Sequence, residues 1–267
     1  LARYYPEDYD PFQTPIPAEL PILQRASINY GLSKRSRAVT RHKQQGRLLE
    51  IGCARGLFLD FVRQTGNWDT YGVETSELAV QYARERLGLN VFHGTLAEAR
   101  FGQNDFDVVV MWDVLEHVPA PQQTLRRIHR VLKPDGVLVF RLPLLDSWDR
   151  KLFGRYWVGW DAPRHLVVFS KRTLRSMLAQ TGFEIKEMTC VSGGYPAFSL
   201  SLRFWLQDHL PSNTVKQLCR MLNALPVRLA VSPYFYLVDR LGKSTVMTVA
   251  ARPQEHTQHP ATMEVDT

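Results

Sequence analysis

From Arg47 to about Cys190, short apolar runs take turns with helical patterns, and that alternation limits the folds open to this chain more than any other feature. The runs are "RLLEIG", "TYGVET", "NVFHG", "FDVVVMWD", "VLVFRLP" and "FEIKEMTC". Between them lie "GLFLDFVRQTG", "SELAVQYARERLG", "APQQTLRRIHRVLKPDG" and "KRTLRSMLAQTG", several of which stop at a glycine, as helix C-termini do. Strands joined by helices of this length make βαβ units, and the predicted fold is a doubly wound, Rossmann-like α/β sheet.

Two stretches break the rhythm. Residues 144–169 are crowded with aromatics ("DSWDRKLFGRYWVGWDAPRHLVVF"), and residues 191–241 separate "FEIKEMTC" from a last strand-like run, "STVMTVAAR". Loops this long are uncommon without a role, so both read as insertions that build a substrate region. Residues 1–45 form an N-terminal unit. It opens with an extended arm rich in Pro, Tyr and Asp, and continues in a basic helix over Gln24–Gln44. The main domain spans 46–252, and the polar tail, 253–267, is expected to be disordered.

Composition narrows the class. The chain has 267 residues, enough to bury a substantial core. Three cysteines (Cys53, Cys190, Cys219) make no disulfide framework, and no Cys/His spacing suggests zinc, so no metal is expected and the setting reads as reducing and cytoplasmic. No apolar run is long enough to span a bilayer. The net charge of +7 is spread over stretches such as "SKRSRAVTRHK" and "RRIHR". These read as solvated helix faces or as a patch for an anionic partner. No aromatic-interleaved motif supports nucleic acid.

The chemistry concentrates in "LLEIGCARGLFLDFV". Gly52 permits a sharp turn after the first strand, and Gly56 lets the next helix pack closely. A pyrophosphate site would want G-x-G-x-x-G, but Ala54 sits at the middle glycine and Glu50 lies just before the turn. A carboxylate there repels pyrophosphate and pairs with an ammonium. Glu74 ends the second strand about 20 residues on, the spacing of an acid that holds ribose hydroxyls. The fourth run ends in Trp112-Asp113, beside the crevice where such sheets bind ligands. A nicotinamide oxidoreductase would need the missing glycine pattern and a Tyr-x-x-x-Lys proton donor, and neither is present.

With "LLEIGCARG", "YGVETS", "DFDVVVMWDVLEHV" and "VLKPDGVLVF" in this order and spacing, the chain resembles a class I S-adenosylmethionine-dependent methyltransferase, of the branch that includes the ubiquinone-biosynthesis O-methyltransferases. The resemblance spans roughly Arg47–Met188. It implies a seven-stranded sheet whose last strand, "STVMTVAAR", is antiparallel. It implies S-adenosyl-L-methionine as cofactor, with Glu50, Gly52 and Gly56 at its methionine end, Glu74 at the ribose, Gly94–Leu96 beside adenine and Asp113 near the methionine moiety. Cys53, Ala54, Phe58, Thr75, Thr95, Leu96, Trp112 and His117 complete the expected cofactor set. Thr95 stands where many members carry an acid near the adenine amine.

The loop "GRYWVGWDAPRHLVVFS" also resembles a recurring feature of one methyltransferase subgroup, and in that fold it overhangs the methyl group. Two readings stay open for it: a packed aromatic loop with an Asp161–Arg164 ion pair, or a catalytic loop in which His165 is a general base oriented by Asp161 or Arg164. Tyr4, Tyr5 and Tyr9 of the arm are candidate lid residues. Residues 191–241 read as a helical cap or as an amphipathic surface for a lipid-like substrate, a membrane face or a partner. The expected reaction is methyl transfer to a small molecule (aromatic, sugar or lipid-like), most readily at oxygen, with carbon and nitrogen open. The alternative is a non-catalytic cofactor-binding or interaction module on the same fold.

Overall fold

The computed structural model describes residues 20–190 and 194–254. The arm tyrosines Tyr4, Tyr5 and Tyr9 and most of the tail lie outside the described residues. Seven strands form one sheet: β1 (Gly46–Ile51), β2 (Trp68–Glu74), β3 (Asn90–His93), β4 (Phe106–Trp112), β5 (Leu132–Pro143), β6 (Phe183–Thr189) and β7 (Val246–Pro253). Their order is β3-β2-β1-β4-β5-β7-β6. β1 to β5 pair in parallel, whereas β7 lies antiparallel between β5 and β6. The expected architecture, last strand included, is what the chain adopts.

The helices, in chain order, are α1 (Ile22–Thr40), α2 (Leu57–Arg63), α3 (Glu77–Glu85), α4 (Pro121–Val131), α5 (Trp148–Phe153), α6 (Lys171–Gln180), α7 (Gly194–His209), α8 (Ser212–Asn223) and α9 (Leu225–Arg240). Central strands read as unbroken apolar runs because both sheet faces are covered. Alternate residues of one strand serve opposite layers. Leu49, Val109 and Phe140 pack under α4 and α6 (Leu125, Ile128, Leu174, Leu178). Leu48, Val108 and Val139 pack under α1, α2 and α3 (Val39, Leu59, Val80). Local caps agree with this plan: Ser76 accepts the Ala79 N–H at the start of α3, and Ser170 with Thr173 forms a capping box on α6.

Two details depart from expectation. The Pro-Asp-Gly segment is no free turn: strand pairing begins at Leu132, directly after α4, and three extra residues bulge out before Val137 re-pairs with Val108. The described part of the insertion, 194–241, folds as three helices whose main contacts are with each other and with the aromatic loop, so the cap rests on that loop more than on the sheet. The loop itself is closed at its base, where Leu144 bridges Phe169 and the Leu145 N–H donates to the Phe169 carbonyl. Trp157 is its buried anchor, donating its indole N–H to Thr245 Oγ1 at 3.2 Å.

Candidate active site

β1 delivers Glu50 into the sheet's C-terminal edge and the chain then turns through Gly52 and Ala54 into α2. Gly52 has φ +70°, and a Cβ there would come within 2.6 Å of a Val114 methyl. Ala54 takes a left-handed backbone (φ 45°) without being glycine, a local strain of the kind that clusters at binding sites. Its N–H donates to Glu74 Oε2 at 2.9 Å, which ties the turn to the tip of β2. Glu74 is further fixed by the backbone N–H groups of Thr75 (2.7 Å) and Ser76 (2.9 Å). The two strand-tip carboxylates of the sequence motif therefore face one cleft.

That cleft has a volume of about 1960 Å³. Ligand pockets commonly measure about 300–1,000 Å³, so this one has room for a donor and an acceptor together. At one end it is lined by Glu50, Gly52, Cys53, Ala54 and Phe58, then Glu74, Thr75, Thr95 and Leu96, then Trp112 and Asp113; His117 also lines it, beside His165. Gly56 is not in the lining; it caps α2 in the left-handed region and abuts Leu89. Glu98 accepts from both the N–H and the hydroxyl of Thr95 but lies outside the lining, so it does not take the place of the acid absent at Thr95.

Charge is unevenly shared along the floor. Glu50 is buried, and its Oε2 has no hydrogen-bond partner. Burial pushes its carboxyl up to about 8, with Arg35 opposing and Glu74 adding to the rise. Asp113, itself at a left-handed φ of 58°, is gripped by Arg141 Nε at 2.9 and 3.1 Å and by Nη2. Burial works against its charge, yet Arg141 and then Arg35 hold it below the usual carboxylate range. Arg35 reaches in from α1 with its guanidinium 5.5 Å from the Trp112 ring centre, and burial together with Arg141 lowers it to about 10.

The other end of the cleft belongs to the insertions. Asp161 and His165 line it, and so do Tyr195, Leu225, Leu229 and Tyr236. Arg164 is not in the lining; it holds Asp161 in a two-point ion pair (2.9 and 2.6 Å). His165 Nδ1 lies 2.8 Å from the Gly159 carbonyl, and His117 Nδ1 lies 3.0 Å from the Arg164 carbonyl. The two imidazoles meet edge to face with centres 4.6 Å apart. Beside them Glu116 is fully buried with neither carboxylate oxygen partnered; burial and then Asp113 push it well above its usual range. Glu116, His117 and His165 each offer a ligand atom within 4.8 Å of the others, a grouping suited to a divalent cation.

The methyltransferase domain model matches residues 24–187. The chain belongs to that methyltransferase family. A Mycolicibacterium smegmatis protein named "Probable S-adenosylmethionine-dependent methyltransferase" is 28% identical over 74% of this chain and 76% of its own. The ubiquinone biosynthesis O-methyltransferase of Haemophilus ducreyi is 28% identical over 64% and 78%. Among solved structures, an S-adenosylmethionine-dependent methyltransferase from Archaeoglobus fulgidus superposes with TM-score 0.54 at 19% identity, covering 84% of this chain and 93% of that one. The methyltransferase uses S-adenosylmethionine as its methyl donor, and its residues fit that group: the Glu50 oxygen without a partner is open to a hydrogen-bond donor, and the ligand carries an ammonium.

Arg35 and Arg141 in the cleft lining, and Glu116 buried beside it, belong to the candidate site, and the sequence reading did not single them out. Arg141 had a signal, being the one charge in the buried run "VLVFRLP". Glu116 was hidden in a motif read for its neighbours. Arg35 had none: it is one of several bases on a helix without an apolar stripe, and only the fold turns it inward.

Proposed function

We propose that this methyltransferase transfers the methyl group of S-adenosylmethionine to a hydroxyl oxygen of an apolar small molecule, with His165 as general base. The observation that carries the reading is the His165 ring in the cleft with Nδ1 on the Gly159 carbonyl. A carbonyl only accepts, so Nδ1 holds the proton and Nε2 keeps the lone pair. A hydroxyl must shed its proton as it is methylated, and an amine with a free lone pair need not. The relatives named as ubiquinone O-methyltransferases support oxygen over nitrogen.

When bound, the cofactor supplies a methyl group already activated on a sulfonium. The chain's own residues do the rest. Glu50 would hold the ammonium, Arg35 the carboxylate of the same amino-acid moiety, and Glu74 the ribose hydroxyls. The Arg141–Asp113 pair stiffens the floor. Asp161, fixed by Arg164, keeps a carboxylate 3.8 Å from His165 Nε2 to favour the imidazolium that forms. Tyr195, Leu225, Leu229 and Tyr236 give the acceptor an apolar wall, and positioning inside it supplies much of the acceleration.

A second reading has its own observation: the unpartnered Glu116 carboxyl beside two imidazoles admits a divalent cation that would bind the acceptor oxygen directly. One experiment separates the readings. Purified protein is given methyl-labelled cofactor and matched phenols, aliphatic alcohols and amines, before and after treatment with a chelator, with metal content measured in parallel. Label on oxygen that survives chelation supports His165 as base. Label on oxygen that vanishes with the metal supports the cation. Label on the amines alone overturns both, and a bound donor with no transfer at all marks a non-catalytic module.

A further inference from the structure

We propose that the surface built by α7, α8 and α9 docks on an anionic lipid bilayer. α9 is apolar over most of its circumference: its sixteen residues include only three charges, Arg228, Asp239 and Arg240, the first two of which line the cleft, yet only Val238 is buried by the chain. Leu225, Leu229 and Tyr236 face the cleft. On the opposite side of the helix Tyr234, Leu237 and Leu241 are 47%, 55% and 51% exposed. A helix face that is apolar and open is stable when something covers it. The neighbouring helices add exposed Phe204, Trp205 and Met221.

Charge selects the cover. Between Gly194 and Lys243 there are six basic residues and two acids; with Arg228 set aside as a cleft residue, five bases remain, and both acids are engaged elsewhere. Asp208 is paired with Arg155 and the Tyr156 hydroxyl, and Asp239 lines the cleft. A second copy would bring two such basic faces together, which costs energy, whereas anionic headgroups attract them. Tyr and Trp interleaved with Arg is the composition that suits the boundary between acyl chains and headgroups. No described helix is long and apolar enough to cross a membrane, so the contact is with the surface. These helices follow the stretch matched by the family model. Docking would set the apolar end of the cleft at the bilayer surface, but the proposal does not depend on the identity of the acceptor.

The test is co-sedimentation of the full chain with phosphatidylcholine vesicles, with and without phosphatidylglycerol. The protein is expected to sediment with the anionic vesicles and to be released by salt. The double variant Tyr234→Glu/Leu237→Glu, whose sites are exposed and outside the cleft, is expected to bind at least about tenfold more weakly. Its affinity for S-adenosylhomocysteine, measured by calorimetry, should be unchanged, which shows that it is folded. Wild-type protein that stays in the supernatant with anionic vesicles, or a variant that binds as well as wild type, overturns the proposal. So does a dimer that the variant dissolves, since a second copy would then be the cover. Vesicle binding seen only after residues 1–19 are removed would assign the cover to that segment and overturn it too.

Discussion

The donor and acceptor ends of the cleft are built by different means. At the donor end the acids sit on strand tips, and backbone N–H groups fix the central one: Glu74 takes three, from Ala54, Thr75 and Ser76. At the acceptor end the polar groups ride on a closed aromatic loop and a 3-10 turn, held by backbone carbonyls and by an Asp161–Arg164 pair three residues apart. The first arrangement fixes a rigid ligand shape that many chains can share. The second can change its side chains without disturbing the sheet, which suits a site where acceptors differ.

The sharpest way to break the comparison is to damage one end and read the other. His165→Gln keeps a polar ring-sized group but removes the base, and turnover is expected to fall about 10²–10⁴-fold. Donor affinity should be untouched. A matching loss of donor affinity would show that the two ends are one structural unit. Glu50→Ala should do the reverse. An ammonium facing a lost carboxylate in a buried site weakens binding by about 3–5 kcal/mol, or roughly 150- to 4,000-fold in affinity. Glu50→Gln sharpens the point. It removes a carboxyl that burial already disfavours, so the ligand-free variant should melt no lower than wild type while still binding the donor poorly.

The same division explains what was legible in the sequence. Glu50, Gly52 and Glu74 could be read because their roles are set by position along the chain: a strand end, a turn, and the next strand end about 20 residues on. The antiparallel β7 came from the family pattern and not from its own residues. The pairing of His117 with His165 could not be read at all, since 48 positions separate them and it takes the folded loop, whose Leu166 and Val167 N–H groups donate to the Glu116 carbonyl, to bring the rings to 4.6 Å. Arg35 escaped for a related reason. A basic helix with no apolar stripe gives no clue to which base turns inward, and here the choice is made by the acids and Trp112 beneath it.

A smaller effect probes the anchor of the acceptor loop. Trp157→Phe removes the indole N–H that Thr245 accepts, and Thr245 in turn donates to the buried Asp149. Leaving that chain incomplete should cost about 1–3 kcal/mol of stability, seen in thermal melting. If the ends are independent, donor affinity in this variant stays at the wild-type value, and turnover falls as His165 loses its setting.

The mildest test uses pH and leaves the sequence alone. In the ligand-free protein the Glu50 carboxyl is raised from 4.5 to about 8, so the folded state holds a proton there that the unfolded chain has released. That lowers stability as pH rises from about 4.5 to about 8, because charging a buried acid works against folding. A bound ammonium reverses the preference and expels the proton. The complex thus carries fewer protons than the free protein, and donor affinity must rise with pH up to about 8, by at most about tenfold per pH unit. Above that the α-amino group of the donor itself loses charge, with a pKa of about 8, so the rise should stop and turn over. Calorimetry at pH 7 in buffers of different ionisation enthalpy reads the expelled proton directly. A release close to one per donor bound places the ammonium on Glu50. No release, together with an affinity flat from pH 6.5 to 8, would move the ammonium elsewhere in the cleft and leave Glu74 as the only strand-tip acid engaged with the donor.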